Sequence, residues 1–158
     1  LLPLDVRLAG LRLARWPARL QQLHSGELVE LLQDNHELWL DGGHNEAGAK
    51  TIVEWAKTRK TRLHVVCGMI NRKDAAAFLS VLGEVTESVY LIDIPNEKST
   101  YSADGLLVEA QSVGLKAQTA PSLQQAVASI VEKTGISPTI IMICGSLYLA
   151  GRVLEKNH

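Results

Sequence analysis

The sequence predicts an α/β domain, with a mostly parallel sheet of about five to six strands and helices on both faces. Two observations lead to that class. Short apolar runs rich in β-branched residues alternate with stretches whose apolar residues recur at helical spacing. The runs ending at Leu40, Cys67, Ile94 and Cys144 also give way at once to polar or glycine-containing turns. Strand–helix–strand crossovers are right-handed, so all four turns are expected on one edge of the sheet. Sheets of this kind bind ligands outside the carboxyl ends of their strands. One polar crevice is the implied product.

Residues 1–15 mix apolar and basic side chains without a clean period and read as a linker. The opening Leu1-Leu2-Pro3-Leu4 has no initiator Met and reads like a cut inside a longer protein. In Arg15-Trp16-Pro17-Ala18-Arg19-Leu20 the proline keeps Trp16 out of helical geometry, so an extended or turn segment precedes a short strand over 20–23. A short helix or irregular piece follows over 26–32. Then comes Leu38-Trp39-Leu40-Asp41-Gly42-Gly43-His44-Asn45, an apolar run, an acid, two glycines that free the backbone to turn, and a His-Asn pair. The spacing predicts a helix over 46–57 with Ala47, Ile52, Trp55 and Ala56 on its apolar face. Asn45 is placed to cap that helix, and Asp41 and His44 are expected to project into the crevice.

A basic break over 57–60 leads to a strand buried on both faces over 63–67. It ends at Gly68 and releases a polar turn, then a helix over 74–82 with Ala77, Phe78, Val81 and Leu82 on one side. Lys73 and Asp74 at that turn form a second candidate cluster. A third strand covers 88–94, followed by a polar loop over 95–101 and a helix over 103–113 that stops at Gly114. Residues 115–119 suit a short edge strand. Ser122 caps a helix over 123–133 that halts at Gly135, and 139–144 is the last strand. Gly145-Ser146 is its turn and 147–155 the closing helix. There is no internal repeat.

Composition narrows the function. The 158 residues fit one domain, able to bury about 68–70% of the surface of its unfolded chain. A single Phe leaves the core to Ala, Leu, Ile and Val, and a net charge of −1 argues against a nucleic-acid footprint. No apolar run is long enough to span a bilayer, and no signal peptide is recognisable. Cys67 and Cys144 end apolar runs and read as small buried hydrophobes of a reduced, cytosolic protein. The Gly-x4-Gly-Lys-Ser/Thr phosphate loop, the dinucleotide Gly-x-Gly-x-x-Gly and the Gly-x-Ser-x-Gly elbow are all absent. His36, Asp41 and His44 include metal-ligating types. However, His36 precedes the strand and His44 follows it, about 20 Å apart along a regular strand, so no metal centre is expected. Each candidate also has a plain reading: Asp41 as a turn former, Asn45 as a cap, Arg19 as a surface cation, Asp74 as a helix start.

Four pieces stand in order: Trp16-Pro17-Ala18-Arg19-Leu20, Asp41-Gly42-Gly43-His44-Asn45, Gly68-Met69-Ile70-Asn71-Arg72-Lys73-Asp74, and Cys144-Gly145-Ser146-Leu147-Tyr148-Leu149-Ala150-Gly151. Together they resemble the C-terminal domain of folylpolyglutamate synthase/dihydrofolate synthase, a branch of the Mur ligase family. Two positions depart from the pattern. Gly43 stands where Ala is usual, a change expected to cost little at a turn. Glu46 stands where Pro is usual and leaves the first helical turn looser.

The resemblance implies a Rossmann-like three-layer domain over 16–158, the C-terminal (glutamate ligase) part of a larger cytoplasmic, monomeric enzyme of folate metabolism. That enzyme would be an ATP-dependent ligase joining a folate or dihydropteroate carboxylate to L-glutamate through an acyl phosphate. ATP and Mg2+ would be held mainly by an N-terminal ATPase domain of the same polypeptide, and the isolated C-terminal part would be inactive. By this analogy Arg19, Asp41 and His44 are the catalytic group. Arg19 meets the nucleotide phosphates, and Asp41 the ribose or a nearby polar group, with Asn45 on the same cofactor side. His44 and Ser146 line the place where glutamate and acyl phosphate meet, and Lys73 joins the substrate side with the least defined role. Two readings from other classes stay open: a nucleotide- or phosphate-binding domain without chemistry, and a scaffolding α/β domain. So does another Mur-type ligase domain.

Overall fold

A computed structural model describes residues 16–158; the linker expected over 1–15 lies outside them. The strands are β1 (Gln21–Leu23), β2 (His36–Leu40), β3 (Leu63–Cys67), β4 (Thr86–Leu91), β5 (Gln118–Thr119) and β6 (Thr139–Cys144). The helices are α1 (Glu46–Arg59), α2 (Ala75–Leu82), α3 (Ala103–Ser112), α4 (Leu123–Thr134) and α5 (Leu147–Leu154). They form one six-stranded sheet in the order β1-β2-β6-β3-β4-β5. Only the β1–β2 pair is antiparallel; every other neighbouring pair is parallel. The predicted α/β class and strand number therefore stand.

Period-two alternation divides the core between the two faces of the sheet. Val65 and Met142 pack under α1, α2 and α3 with Ile52, Phe78, Leu79 and Leu106. On the other face Leu38, Leu40, Val66 and Ile143 meet Ala126 and Ile130 of α4 and Leu149 and Val153 of α5. The chain's one Phe, Phe78, is fully buried, and a side chain of that size contributes about 1.5–3 kcal/mol by leaving water. All six residues of the central β6 are buried, as an uninterrupted apolar run in a parallel sheet requires.

Several boundaries and faces differ from expectation. The buried stripe of α1 is Ala49, Ile52, Val53 and Ala56. Ala47 is exposed, because the first turn of this helix overhangs the crevice and not the sheet. Trp55 is half-buried and stacks on Trp39, with ring centroids 4.6 Å apart and Arg59 lying 5.6 Å from each ring. In α2 the stripe is Ala75, Phe78, Leu79 and Leu82, with Ala77 and Val81 at its margin. His36 is the first residue of β2 and not outside it. The strand expected over 88–94 is β4, which runs Thr86–Leu91 and stops short of Ile94: β3 ends at Cys67, whose carbonyl accepts the Ile92 N–H as the last link between the two strands, and Asp93 turns to accept the Ala103 N–H. The piece over 26–32 is a single 3-10 turn, Val29–Leu31.

Parallel pairing puts the turns after β2, β3, β4 and β6 on one edge, as right-handed crossovers demand. They are stitched together there. Gly145 N donates to Gly43 O at 2.9 Å and Gly68 N to Cys144 O at 3.3 Å. Among the described residues no helix is long and apolar enough to cross a membrane.

Candidate functional site

The site grows from the end of β2. Leaving the strand, Asp41 keeps its own N–H on Ile143 O of β6 (2.9 Å), and its side chain turns inward, only 8% exposed. Its Oδ1 accepts the Gly43 N–H at 2.7 Å and its Oδ2 the Leu20 N–H at 2.9 Å. Burial pushes the Asp41 carboxyl above its ordinary range, against the lowering pull of those two amides and of Arg19. A return bond, Gly42 N to Ala18 O at 2.7 Å, laces the same two segments. The segment so held is unusual. Ala18 and Leu20 sit at φ +56° and +42°, a left-handed geometry that costs a side-chain-bearing residue about 1–2 kcal/mol. Arg19 stands between them.

Arg19 is exposed, with its guanidinium 5.8 Å from the Trp16 ring, and no carboxylate among the described residues pairs with it. It overlooks a cleft of about 400 Å³ lined also by Asp41, His44, Asn45, Thr51 and Leu147. The His44 Nδ1 lies 3.0 Å from Gly42 O, which can only accept, so Nδ1 carries the proton and Nε2 is the acceptor of the neutral ring. Asn45 is the helix cap, as expected: its Oδ1 accepts the Gly48 N–H at 2.9 Å. The expectation that Ala would replace Gly43 cheaply does not hold. A Cβ there would lie 2.7 Å from Asp41 Oδ1 and push on the carboxylate.

His44 and Leu147 also border a second cavity of about 250 Å³, with Ile70, Lys73, Ser146 and Tyr148. Ser146 is 2% exposed and caps α5, its Oγ accepting the N–H groups of Tyr148 (3.0 Å) and Leu149 (3.4 Å). The hydroxyl hydrogen remains for donation. Lys73 is half-buried, and its carbonyl accepts the Tyr101 hydroxyl at 3.3 Å. Asp74 is taken up by capping α2 through the Ala77 N–H. The predicted residues are thus brought together: Arg19, Asp41, His44 and Asn45 around one cleft, His44, Lys73 and Ser146 around its neighbour.

Sequence reasoning missed the walls. Leu147 and Tyr148 stand 61% and 58% exposed at the rim, and the 95–101 loop is bound to this edge through Asn71 N to Ser99 O and Tyr101 N to Met69 O. The run Ser146-Leu147-Tyr148 directly after a strand-end glycine was the available signal. His36 stays at the far end of β2, 3.4 Å from Thr134 Oγ1. Among the described residues no group of three or more His, Cys, Asp and Glu is placed to hold a metal. Cys67 and Cys144 are register partners on β3 and β6, buried and free; a bond from Cys67 together with burial holds the Cys144 thiol well above its usual range.

A family model described as dihydrofolate synthetase, C-terminal domain, matches residues 24–156. The chain belongs to that family. The chain is 30% identical over 156 residues to the folylpolyglutamate synthase of Lacticaseibacillus casei, covering 98% of this chain and 32% of that protein. It is 25% identical to the dihydrofolate synthase/folylpolyglutamate synthase of Bacillus subtilis (strain 168), covering 94% of this chain and 32% of that one. The chain thus spans about a third of the length of the curated relatives it matches. In fold it superposes on a Mycobacterium tuberculosis folylpolyglutamate synthase complexed with ADP, with a TM-score of 0.79 at 24% identity, covering 98% of this chain and 35% of that one.

Proposed function

We propose that this chain serves a cytoplasmic, ATP-dependent ligase that joins a folate or dihydropteroate carboxylate to the amine of L-glutamate. Family membership supports the class. One observation supports the mechanism: among the described residues Arg19 presents a guanidinium without a carboxylate partner, over an open cleft that it shares with His44 and that adjoins the cavity of Ser146. Arg forks onto phosphate oxygens, and an unpaired one is poised for an anion supplied from outside. In the reaction the carboxylate takes the terminal phosphoryl group of ATP, and the glutamate amine attacks the acyl carbon. The C–N bond forms, the C–O bond to phosphate breaks, and the amine gives up a proton. Arg19 binds the phosphate oxygens. His44 offers Nε2 to an ammonium or amine hydrogen, Ser146 donates its hydroxyl hydrogen, and Lys73 adds positive charge on the carboxylate side.

Mg2+ needs a set of oxygen ligands. The carboxylate nearest the cleft, Asp41, is committed to two backbone amides, so the described residues do not fit a metal centre. The ATPase domain that completes the enzyme is likewise part of the proposal, and this chain by itself should turn over no ATP.

The test is steady-state kinetics of Arg19→Ala and Arg19→Lys in the full-length ligase at saturating glutamate. Arginines that stabilise a transferring phosphoryl group are worth about 10³–10⁵ in rate, and the lower end of that range or less is expected for Ala. Lys keeps the charge without the fork and should recover part of it. If both variants stay within about threefold of wild type, less than 1 kcal/mol of barrier, the reading fails.

A further inference from the structure

We infer that Asp41 is a positioning residue: its carboxylate staples segment 16–20 to the end of β2 and so fixes where Arg19 stands. The inference rests on the proposed function only for its kinetic arm. Asp41 has two oxygens and each has a backbone partner, Leu20 N at 2.9 Å and Gly43 N at 2.7 Å. One of these bonds closes the turn after β2. The other reaches 21 residues back along the chain to the residue following Arg19.

Segment 16–20 contains no helix or strand, and the two residues that flank Arg19, Ala18 and Leu20, hold left-handed backbone geometry without being glycine. Such geometry persists only where surrounding contacts over-determine it. Ala18 and Leu20 pack against the two cores, and among the described residues the hydrogen bonds are few. Within the segment and into β1 there are Arg19 N to Trp16 O (3.3 Å) and Ala18 N to Gln21 Oε1 (2.9 Å). From the segment to the β2 turn there are the Leu20–Asp41 bond and the Gly42–Ala18 bond. Asp41 is the only side chain in that second set, and it is buried, where an ionised carboxylate is tolerated only because donors surround it. With both oxygens so engaged and 8% of the residue exposed, Asp41 is poorly placed to hold a ligand itself. Its effect on chemistry runs through Arg19.

Asn at this position keeps the shape but has one acceptor oxygen and one donor nitrogen, so one of the two amides is left facing an N–H group. The first measurement is amide hydrogen exchange on this chain. In Asp41→Asn, Leu20 or Gly43 should exchange at least about tenfold faster while the core amides of Val65 and Met142 do not change; Asp41→Ala should free both. Unchanged Leu20 and Gly43 exchange in the two variants overturns the staple. The second measurement is a double-mutant cycle on kcat/KM for ATP in the full-length ligase with Asp41→Asn and Arg19→Ala. Asp41→Asn should lose about tenfold or more where Arg19 is present and under about twofold where Arg19 is already Ala. Losses that multiply mean Asp41 acts on substrate directly and overturn the positioning role. If Arg19→Ala is itself without effect, the proposed function fails, and the exchange data still decide whether the staple exists.

Discussion

Gly145 joins the last strand to its helix, and replacing it with Ala tests how tightly the carboxyl edge is packed. Its φ is +109°, and a Cβ would come within 2.6 Å of Gly68 O, 2.7 Å of Cys67 Sγ and 3.0 Å of Met69 Cγ. Two costs combine. An L-residue held in a glycine conformation is strained by about 1–3 kcal/mol. Forcing a methyl group against a backbone carbonyl and a buried sulfur adds about 1–3 kcal/mol, because neither is the free end of a flexible chain. The sum, about 2–6 kcal/mol, is a large share of the 5–15 kcal/mol that holds a typical domain together. Gly151 is the internal control. It lies within α5, a Cβ there would meet nothing within 4 Å, and Ala should stabilise the helix by about 0.5–1 kcal/mol. Urea unfolding of this chain, followed by far-UV circular dichroism, gives both numbers. With a slope of about 2 kcal/mol per molar, Gly145→Ala should lower the midpoint by about 1–3 M and Gly151→Ala raise it by about 0.3–0.5 M. A loss under about 1 kcal/mol for Gly145→Ala would refute the packing argument, since the edge would then be loose enough to absorb a methyl group.

Two further outcomes follow from buried titratable groups. Burial lowers the pKa of His64, whose Nδ1 lies 2.8 Å from Ser88 Oγ, so the unfolded chain binds the proton more readily than the folded one. Stability should therefore fall as pH drops below about 6.5 and level off once the folded-state pKa is passed. Urea midpoints at about pH 7.5 and 5 should show a smaller loss for His64→Gln than for wild type; equal losses would remove His64 from the account. Asp41 works with the opposite sign, its raised carboxyl favouring the folded state as it protonates, so only the difference between the two proteins isolates His64. The two free cysteines are buried and the Cys144 thiol is held well above its usual range, so neither should react with a thiol reagent at about pH 8 until urea unfolds the chain. Labelling of the native chain at the rate of an exposed thiol would contradict that burial.

How much of this was legible depends on how local the cause is. The strand Thr139–Cys144 and the caps Asn45 and Ser122 are written in neighbouring residues, and they fall where the sequence places them. Ile92 and Ile94 extend an apolar run and are buried, yet they lie outside the strand because the neighbouring β3 ends at Cys67, whose carbonyl takes the last ladder bond, from the Ile92 N–H. Burial was readable there and pairing was not. Ala47 matches the helical period of α1 but falls on the overhanging turn, which only the position of the crevice reveals. The largest gap concerns Asp41. Its place at a strand end is local information, whereas its partner Leu20 lies 21 residues away in a segment with no glycine to announce its left-handed backbone. No pattern of residue types encodes that contact.

The position of β6 bears on how the chain folds as it is made. β6 is the last strand in chain order, yet it lies in the middle of the sheet, between β2 and β3. Until Thr139–Cys144 leave the ribosome, the β1–β2 hairpin and the β3–β4–β5 piece share no hydrogen-bonded seam. Leu40 must wait for a partner that emerges about a hundred residues later, and contacts that distant are slow to form. Meanwhile two apolar strand edges stand open, each a template for pairing with another nascent chain. A nascent chain that ends or stalls before β6 would thus expose two sticky half-sheets and should aggregate through those edges.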